Sequence, residues 1–200
     1  MALPASYVTV DLQLSTIRER LAHRRHVRFE GEVQRRAAIA AVVRPGPSSL
    51  ELLLIRRAER DGDPWSGHMA LPGGHHERHD TDLLATVRRE TLEEVGLDLH
   101  AHELIGPLDE HGASVQGVFS GLLLAPFVFA LRHDVELRLN HEVAEAIWAP
   151  LAPMMSGASA VFKELEREGR AMRFPGFSVG DQIVWGLTHR VLLNFFELLR

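Results

Sequence analysis

The 200-residue chain has no cysteine, which excludes disulfides and thiolate metal sites and agrees with the reducing cytoplasm expected for it. It has no basic excess either. Against 27 acidic residues stand 22 basic ones, a net charge of −5, so no positive stripe is available for general nucleic-acid binding. The opening MALPASYVTVDLQL has neither the basic start nor the continuous apolar segment of an export signal. The longest uncharged run, Gly112 to Leu131, has the length of a membrane span, but Ser114, Gln116, Gly117, Ser120, Gly121 and Pro126 interrupt it. Its β-branched and aromatic content fits buried strands instead. Internal repeats, low-complexity tracts and linkers are also missing. What is present, 46% hydrophobic residues in a length typical of one domain, supports a sizeable core. The expectation is a single domain over residues 1–200, monomeric or homodimeric, without membrane or nucleic-acid partners.

Periodicity orders the chain. An opening helix is expected from about Asp11 to Arg24, with Leu14, Ile17 and Leu21 on one face and the basic run His23 to His26 with Arg28 as its polar end. Ala37–Val43 and Leu50–Arg56 read as short strands around the turn Pro45-Gly46-Pro47-Ser48. Further strands are expected near Leu104–Leu108, over Val118–Leu131 with a break at Pro126, and at Ala146–Ala149. Ala158–Phe174 reads as a hairpin turning at Glu168-Gly169, and Asp181–Leu199 as a long apolar helix in which Gly186 marks close backbone packing. The pattern implies an α/β fold with a mixed sheet between helices.

The densest chemistry lies in Leu71 to Leu97, LPGGHHERHDTDLLATVRRETLEEVGL, where a glycine turn leads into a helix bearing Arg89, Glu90, Glu93 and Glu94. At about 100° per residue the three carboxylates fall within a roughly 100° arc, with Glu90 and Glu94 one turn apart. Like charges at that spacing repel, so crowding them beside Arg89 points to a cation. Hard divalent ions take oxygen ligands, hold few protein carboxylates and keep positions open for substrate phosphates. Glutamate-rich helix faces are commonly just solvated. The order of elements argues against that here. Gly73-Gly74 precede the helix, Asp80 or Thr81 can cap its start, and Gly96 sits where a left-handed C-terminal cap is expected. Leu84, Val87, Thr91 and Val95 make a core-facing stripe with Glu94 at its border, where a carboxylate is expensive to desolvate unless paired or metal-bound.

Arg89-Glu90-Thr91-Leu92-Glu93-Glu94-Val95-Gly96-Leu97 resembles the second half of the signature of the Nudix hydrolases. In the first half, the glycine position of the usual spacing falls on His75 and the acid position on Thr81. Gly74 and Asp80 match once the spacer carries one extra residue, and the coenzyme A pyrophosphatase branch of the family has this lengthened spacer. Leu52–Gly74 resembles that branch's lead-in, with Trp65 and His68 where a histidine and a glutamine are expected and Arg56 and Arg57 in place of a partly hydroxylic pattern. Ile183–His189, IVWGLTH, is similar to its Ile-Trp-Gly-Leu-Thr stretch. The resemblance covers most of Arg36 to Leu199.

The resemblance implies a Nudix α/β/α sandwich, with a core at about 36–166 and helical additions at 11–24 and 181–199. It implies hydrolysis of the pyrophosphate of coenzyme A or its thioesters to 3',5'-ADP and 4'-phosphopantetheine compounds. Mg2+ or Mn2+ is the implied cofactor, and a coenzyme A-like nucleoside diphosphate derivative the implied partner. ADP-ribose, NADH or dinucleoside polyphosphates are alternative substrates. A nucleotide sensor without catalysis is the alternative of another class, and retention of all three signature carboxylates weighs against it.

The metal candidates are Glu90, Glu93, Glu94 and the carbonyl of Gly74, with Arg89 pairing with the glutamates and holding their orientation. Substrate contacts fall to Arg56, Arg57, Trp65, His68 and Gly73. A further acid is expected in Asn140–Leu151. Glu142, before the strand carrying Trp148, is the candidate base, with Glu145 in reserve and Asp109 and Glu110 behind it. His75, His76 and His79 beside Asp80 raise a transition-metal alternative that histidines without cysteines in a glycine-rich loop seldom carry. Trp65 is placed to touch substrate, whereas Trp148 and Trp185 are expected in the core, in a strand and a helix.

Overall fold

Residues Ala37–Val43 are small or β-branched and apolar throughout, which suits a strand covered on both faces. The computed structural model, which describes residues 14–62, 65–115, 118–167 and 170–200, places them within β1 (Arg35–Pro45), and all of them are buried. β1 runs parallel to β7 (Val118–Ala130), from Arg35↔Leu122 to Val43↔Ala130. The other pairings of this sheet among the described residues are antiparallel, so the sheet is mixed. β5 (Glu103–Pro107) and β6 (His111–Val115) share the far edge of β7. Pro126 does not break β7 as expected. Its carbonyl accepts from the Leu108 N–H at 2.9 Å, and the donor that proline lacks falls in the gap where β5 ends and β6 begins.

On its other edge β1 meets β2 (Leu50–Arg57) only where Val43–Pro45 face Leu50–Leu52. Beyond that point a third segment lies between the two strands. β3 (Met69–Ala70) pairs with β2, the Pro72 carbonyl accepts from Ala40 N at 2.8 Å, and β4 (Gly73–His75) pairs with β1. The chain that leads into the signature helix is thereby threaded through the middle of the sheet. β8 (Val143–Pro150) pairs along the length of β2.

Alternation along β1 sends Ala38, Ala40 and Val42 to one face, under Val87 and Val95 of α2 (Leu83–Val95). Ala37, Ile39, Ala41 and Val43 pack on the other face with α1 (Leu14–Ala22) and α4 (Gly186–Leu199). That second face also takes α3 (Leu151–Ser156) and a three-stranded sheet of β9 (Ala160–Arg167), β10 (Arg170–Val179) and β11 (Gln182–Trp185). The architecture is the expected α/β/α sandwich with a second, smaller sheet.

Several boundaries differ from the sequence reading. Residues 11–13 of the opening helix and the hairpin turn at 168–169 lie outside the described residues. Lys163–Arg167 is strand, paired with β10, so the hairpin forms. The last helix starts at Gly186 rather than Asp181, because Gln182–Trp185 pairs with Gly176–Val179 and buries Val184. Gly186 has φ +66° and open space where a Cβ would sit, so it turns the chain from strand to helix and does not mark close packing.

The terminal helices are part of the core. Ile17, Val191, Leu192, Phe195 and Phe196 are sealed from solvent in the same cluster as the odd residues of β1. Phe195→Ala should therefore cost about 3–5 kcal/mol, read as a lower midpoint in urea unfolding at unchanged slope.

Candidate active site

Asp82, not Asp80 or Thr81, caps α2, its carboxylate accepting from Ala85 N at 2.7 Å. Gly96 ends the helix in the left-handed conformation, as expected. Asp80 has another task. Its side chain is 3% exposed, accepts from Arg89 Nε at 2.9 Å and Nη2 at 3.0 Å, and accepts further from Thr86 Oγ1 and Glu77 N. The Arg89 guanidinium, seconded by these other donors, holds the Asp80 carboxyl well below the usual carboxylate range. Arg89 also reaches the His75 carbonyl (3.0 Å), Glu90 Oε1 (2.9 Å) and Glu93 Oε2 (3.2 Å). It locks the 75–80 loop to the helix and holds two signature carboxylates.

The three carboxylates do not converge as one cluster. Glu93 stands at the rim with its side chain 54% exposed. Glu94, expected at the border of the core stripe, is fully inside it at 2% exposure and accepts from Gly73 N at 2.8 Å. Gly73 sits at φ +140°, and a Cβ there would meet the Ala38 carbonyl at 2.1 Å. At Gly74 a Cβ would lie 2.6 Å from a Glu90 carboxylate oxygen, so only glycine lets Glu90 close on this backbone. Burial, reinforced by Glu90 and Glu142 and opposed by the Gly73 N–H and Arg57, pushes the Glu94 carboxyl up to about 8. Burial likewise raises Glu90 against the pull of Arg89.

These interactions bring together Gly73, Gly74, Glu90, Glu94, Arg57 and Glu142. Glu142 carries a second arginine that sequence reasoning passed over. Arg60 Nη2 donates to its Oε1 at 3.0 Å, and the Ala58 N–H donates to its carbonyl at 2.7 Å. No motif in the sequence marks Arg60. Arg56 is held by Glu145 opposite it on β8 at 3.3 Å, which places both outside the cluster. Asp109 and Glu110 are also elsewhere. Asp109 binds Arg24, the Val27 N–H and Asn194, and Glu110 accepts from Phe29 N, so both tie the segment after α1 to the body.

The His68 ring packs at a tilt against Trp185 with centroids 4.6 Å apart, and Trp185 likewise against Phe174 at 5.4 Å. Trp185 is thus a partly exposed strand residue rather than a helical core residue. Trp65 is exposed in the same loop as His68, and Trp148 is half-buried with the Arg44 guanidinium 4.0 Å over its ring. His76 bonds Thr86 at 2.8 Å, and His79 lies 3.5 Å from Glu77. Among the described residues no three His, Asp or Glu side chains form a complete metal cage. The donors fit a hard cation that needs few protein ligands. Two carboxylates, Glu90 and Glu94, approach a side-chain-free backbone turn, and the deeper of them accepts from the Gly73 amide.

The NUDIX domain profile matches residues 34–166. The chain belongs to the Nudix family. It is 30% identical over 175 residues to the uncharacterised Nudix hydrolase NudL of Yersinia pestis, covering 86% of this chain and 83% of that protein. A stretch of 109 residues is 51% identical to an uncharacterised Schizosaccharomyces pombe protein, covering 52% of this chain but only 33% of the yeast protein. In fold it is similar to a MutT/nudix family protein of Enterococcus faecalis, with a TM-score of 0.55 at 15% identity over 98% of this chain and 74% of that one. It is similar also to the C. elegans Ap4A hydrolase, with a TM-score of 0.50 at 20% identity over 60% and 83%.

Because the Glu94 carboxyl titrates near 8 when folded against a reference of 4.5, the folded protein binds the extra proton between those values. Stability present below about pH 4.5 is therefore lost as pH rises to about 8. Glu94→Gln keeps the acceptor for Gly73 and removes the charge. In chelator it should be at least as stable as the parent at pH 8 by thermal unfolding, while pyrophosphate hydrolysis in Mg2+ drops by roughly a hundredfold or more. A variant that unfolds more readily yet keeps its turnover would make Glu94 a structural residue.

Proposed function

We propose that this Nudix pyrophosphohydrolase of nucleoside diphosphate derivatives takes coenzyme A or its thioesters as substrate, releasing 3',5'-ADP and a 4'-phosphopantetheine compound. The observation that carries the substrate is the Asp80–Arg89 pair. Asp80, and not Thr81, is the acid that meets the signature arginine, and this supports the resemblance of the spacer to the lengthened one of the coenzyme A branch.

A pyrophosphate diester repels an incoming hydroxide, and Mg2+ or Mn2+, when bound, supplies charge to its oxygens and acidifies water. Glu90, Glu94 and the Gly74 carbonyl are the residues that would hold the cation, with Glu93 reaching in from the rim. Arg89 fixes Glu90 and Glu93 by direct bonds, so neither carboxylate has to be ordered when substrate arrives. Glu142, on the opposite wall from α2, takes the proton of the attacking water, and Arg60 positions its carboxylate. Arg57, close enough to act on Glu94, is the arginine this reading assigns to the phosphates.

Incubation with coenzyme A, dephospho-coenzyme A, ADP-ribose, NADH and dinucleoside polyphosphates in Mg2+ or Mn2+, with products identified by mass, tests the reading. Coenzyme A should give 3',5'-ADP with the highest kcat/KM, and EDTA should abolish turnover. Equal kcat/KM across the panel would leave a broad-range pyrophosphatase, and binding without cleavage would leave a sensor. Glu142→Gln should lower kcat by roughly 10²–10⁴-fold with KM little changed, as measured by steady-state kinetics.

A further inference from the structure

Beside the proposed centre, at the start of β1, lies a recess of about 470 Å³ lined by Val33, Gln34, Arg35, Arg36, His75 and His76. Two of its six lining residues are arginines. Arg18, Arg24, Arg44, Arg56, Arg60 and Arg89 each meet a carboxylate. Arg35 and Arg36 are exposed, and among the described residues no carboxylate pairs with either. In a chain of net charge −5, two neighbouring guanidiniums without an acid sit in one recess together with two imidazoles.

Backbone bonds fix the walls. Gln34 N donates to the Gly121 carbonyl at 2.9 Å, Ala37 pairs with His75, and His76 N donates to the Arg36 carbonyl at 2.8 Å. Arg35 and Arg36 both line the recess from consecutive positions at the start of β1, so a group bound there lies within reach of two guanidiniums. A planar, permanently charged guanidinium matches phosphate oxygens bidentately, and a phosphate monoester offers up to two charges with no esterified second oxygen in the way. The recess therefore suits a phosphate monoester.

Position selects which one. His75 directly follows Gly74, the backbone turn assigned to the cation, so a group in the recess belongs to a substrate part only a few atoms from the cleaved pyrophosphate. On coenzyme A that part is the ribose 3'-phosphate. We infer that Arg35 and Arg36 hold the 3'-phosphate of the substrate nucleotide and set the preference for coenzyme A over its dephosphorylated form. The sequence offered Arg56 for such a task, but Glu145 engages it. This inference rests on the coenzyme A reading of the proposed function, and binding without metal separates the two.

Calorimetry in EDTA compares 3',5'-ADP, 5'-AMP and ATP on the parent, on the Arg35→Gln/Arg36→Gln double variant, and on Arg36→Lys. The parent should bind 3',5'-ADP about tenfold or more tightly than 5'-AMP, the double variant should lose that difference, and Arg36→Lys should keep part of it. The ratio of kcat/KM for coenzyme A to that for dephospho-coenzyme A should fall in parallel. Both arginines are exposed, so the variants should fold, which circular dichroism checks. Equal binding of 3',5'-ADP and 5'-AMP by the parent, or a preference that survives the double variant, overturns the assignment. A gain seen with ATP and not with 3',5'-ADP also overturns it, since the recess would then take a 5'-polyphosphate. If the preference behaves as expected but coenzyme A is not cleaved in Mg2+, the recess stands and the proposed substrate falls.

Discussion

The contact between the Gly73 N–H and the Glu94 carboxylate joins the centre of the sheet to the signature helix. It forms because β1 and β2 pair only at one end and the chain at Gly73 runs between them, against the Ala38 carbonyl. No side chain fits there, so the sheet presents a bare amide to the helix. A single amide does not repay the desolvation of a carboxylate. The core is therefore shaped around a charge that destabilises it, and the surrounding pairings hold that charge in place.

Two further ties make this arrangement rigid. Arg89 binds Asp80 through two nitrogens and the His75 carbonyl through one of them, so the loop before α2 cannot drift from the helix. Across the site, Ala58 N on the Glu142 carbonyl and Arg60 on its carboxylate anchor the loop after β2 to the start of β8. Each wall combines a backbone bond with an arginine–carboxylate pair, which fixes direction as well as distance.

The sandwich, the mixed sheet and the glycine turn before a glutamate-bearing helix could be read from sequence because each has a local period or a motif. The apolar run Ala37–Val43 announced a strand covered on both sides, and Gly96 announced the helix end. Errors came where a distant partner decided the outcome. Gln182–Trp185 has the composition of the helix that follows it, and only pairing with β10 makes it a strand. Pro126 reads as a breaker unless the gap between β5 and β6 is known. Helix geometry placed Glu90, Glu93 and Glu94 on one face but not at one depth, since depth is set by Gly73 and Gly74 from another element. Arg60 and the Arg35–Arg36 recess carry no motif, whereas the extra residue in the spacer, which matches Asp80 to the acid position, was legible and agrees with the Asp80–Arg89 pair.

The parallel pairing of β1 with β7 also bears on how the chain folds. Strands joined in parallel need a long crossover, and here it contains β2, the threaded segment, α2, β5 and β6. The central pairing thus joins residues far apart in sequence, a topology that folds slowly. Leu52, Leu54 and the odd residues of β1 share one face with α1, α3 and α4, so that face stays incompletely covered until α4 has been made. During synthesis that apolar face is a surface open to wrong partners, so this protein is most exposed to aggregation in the interval before its last helix docks.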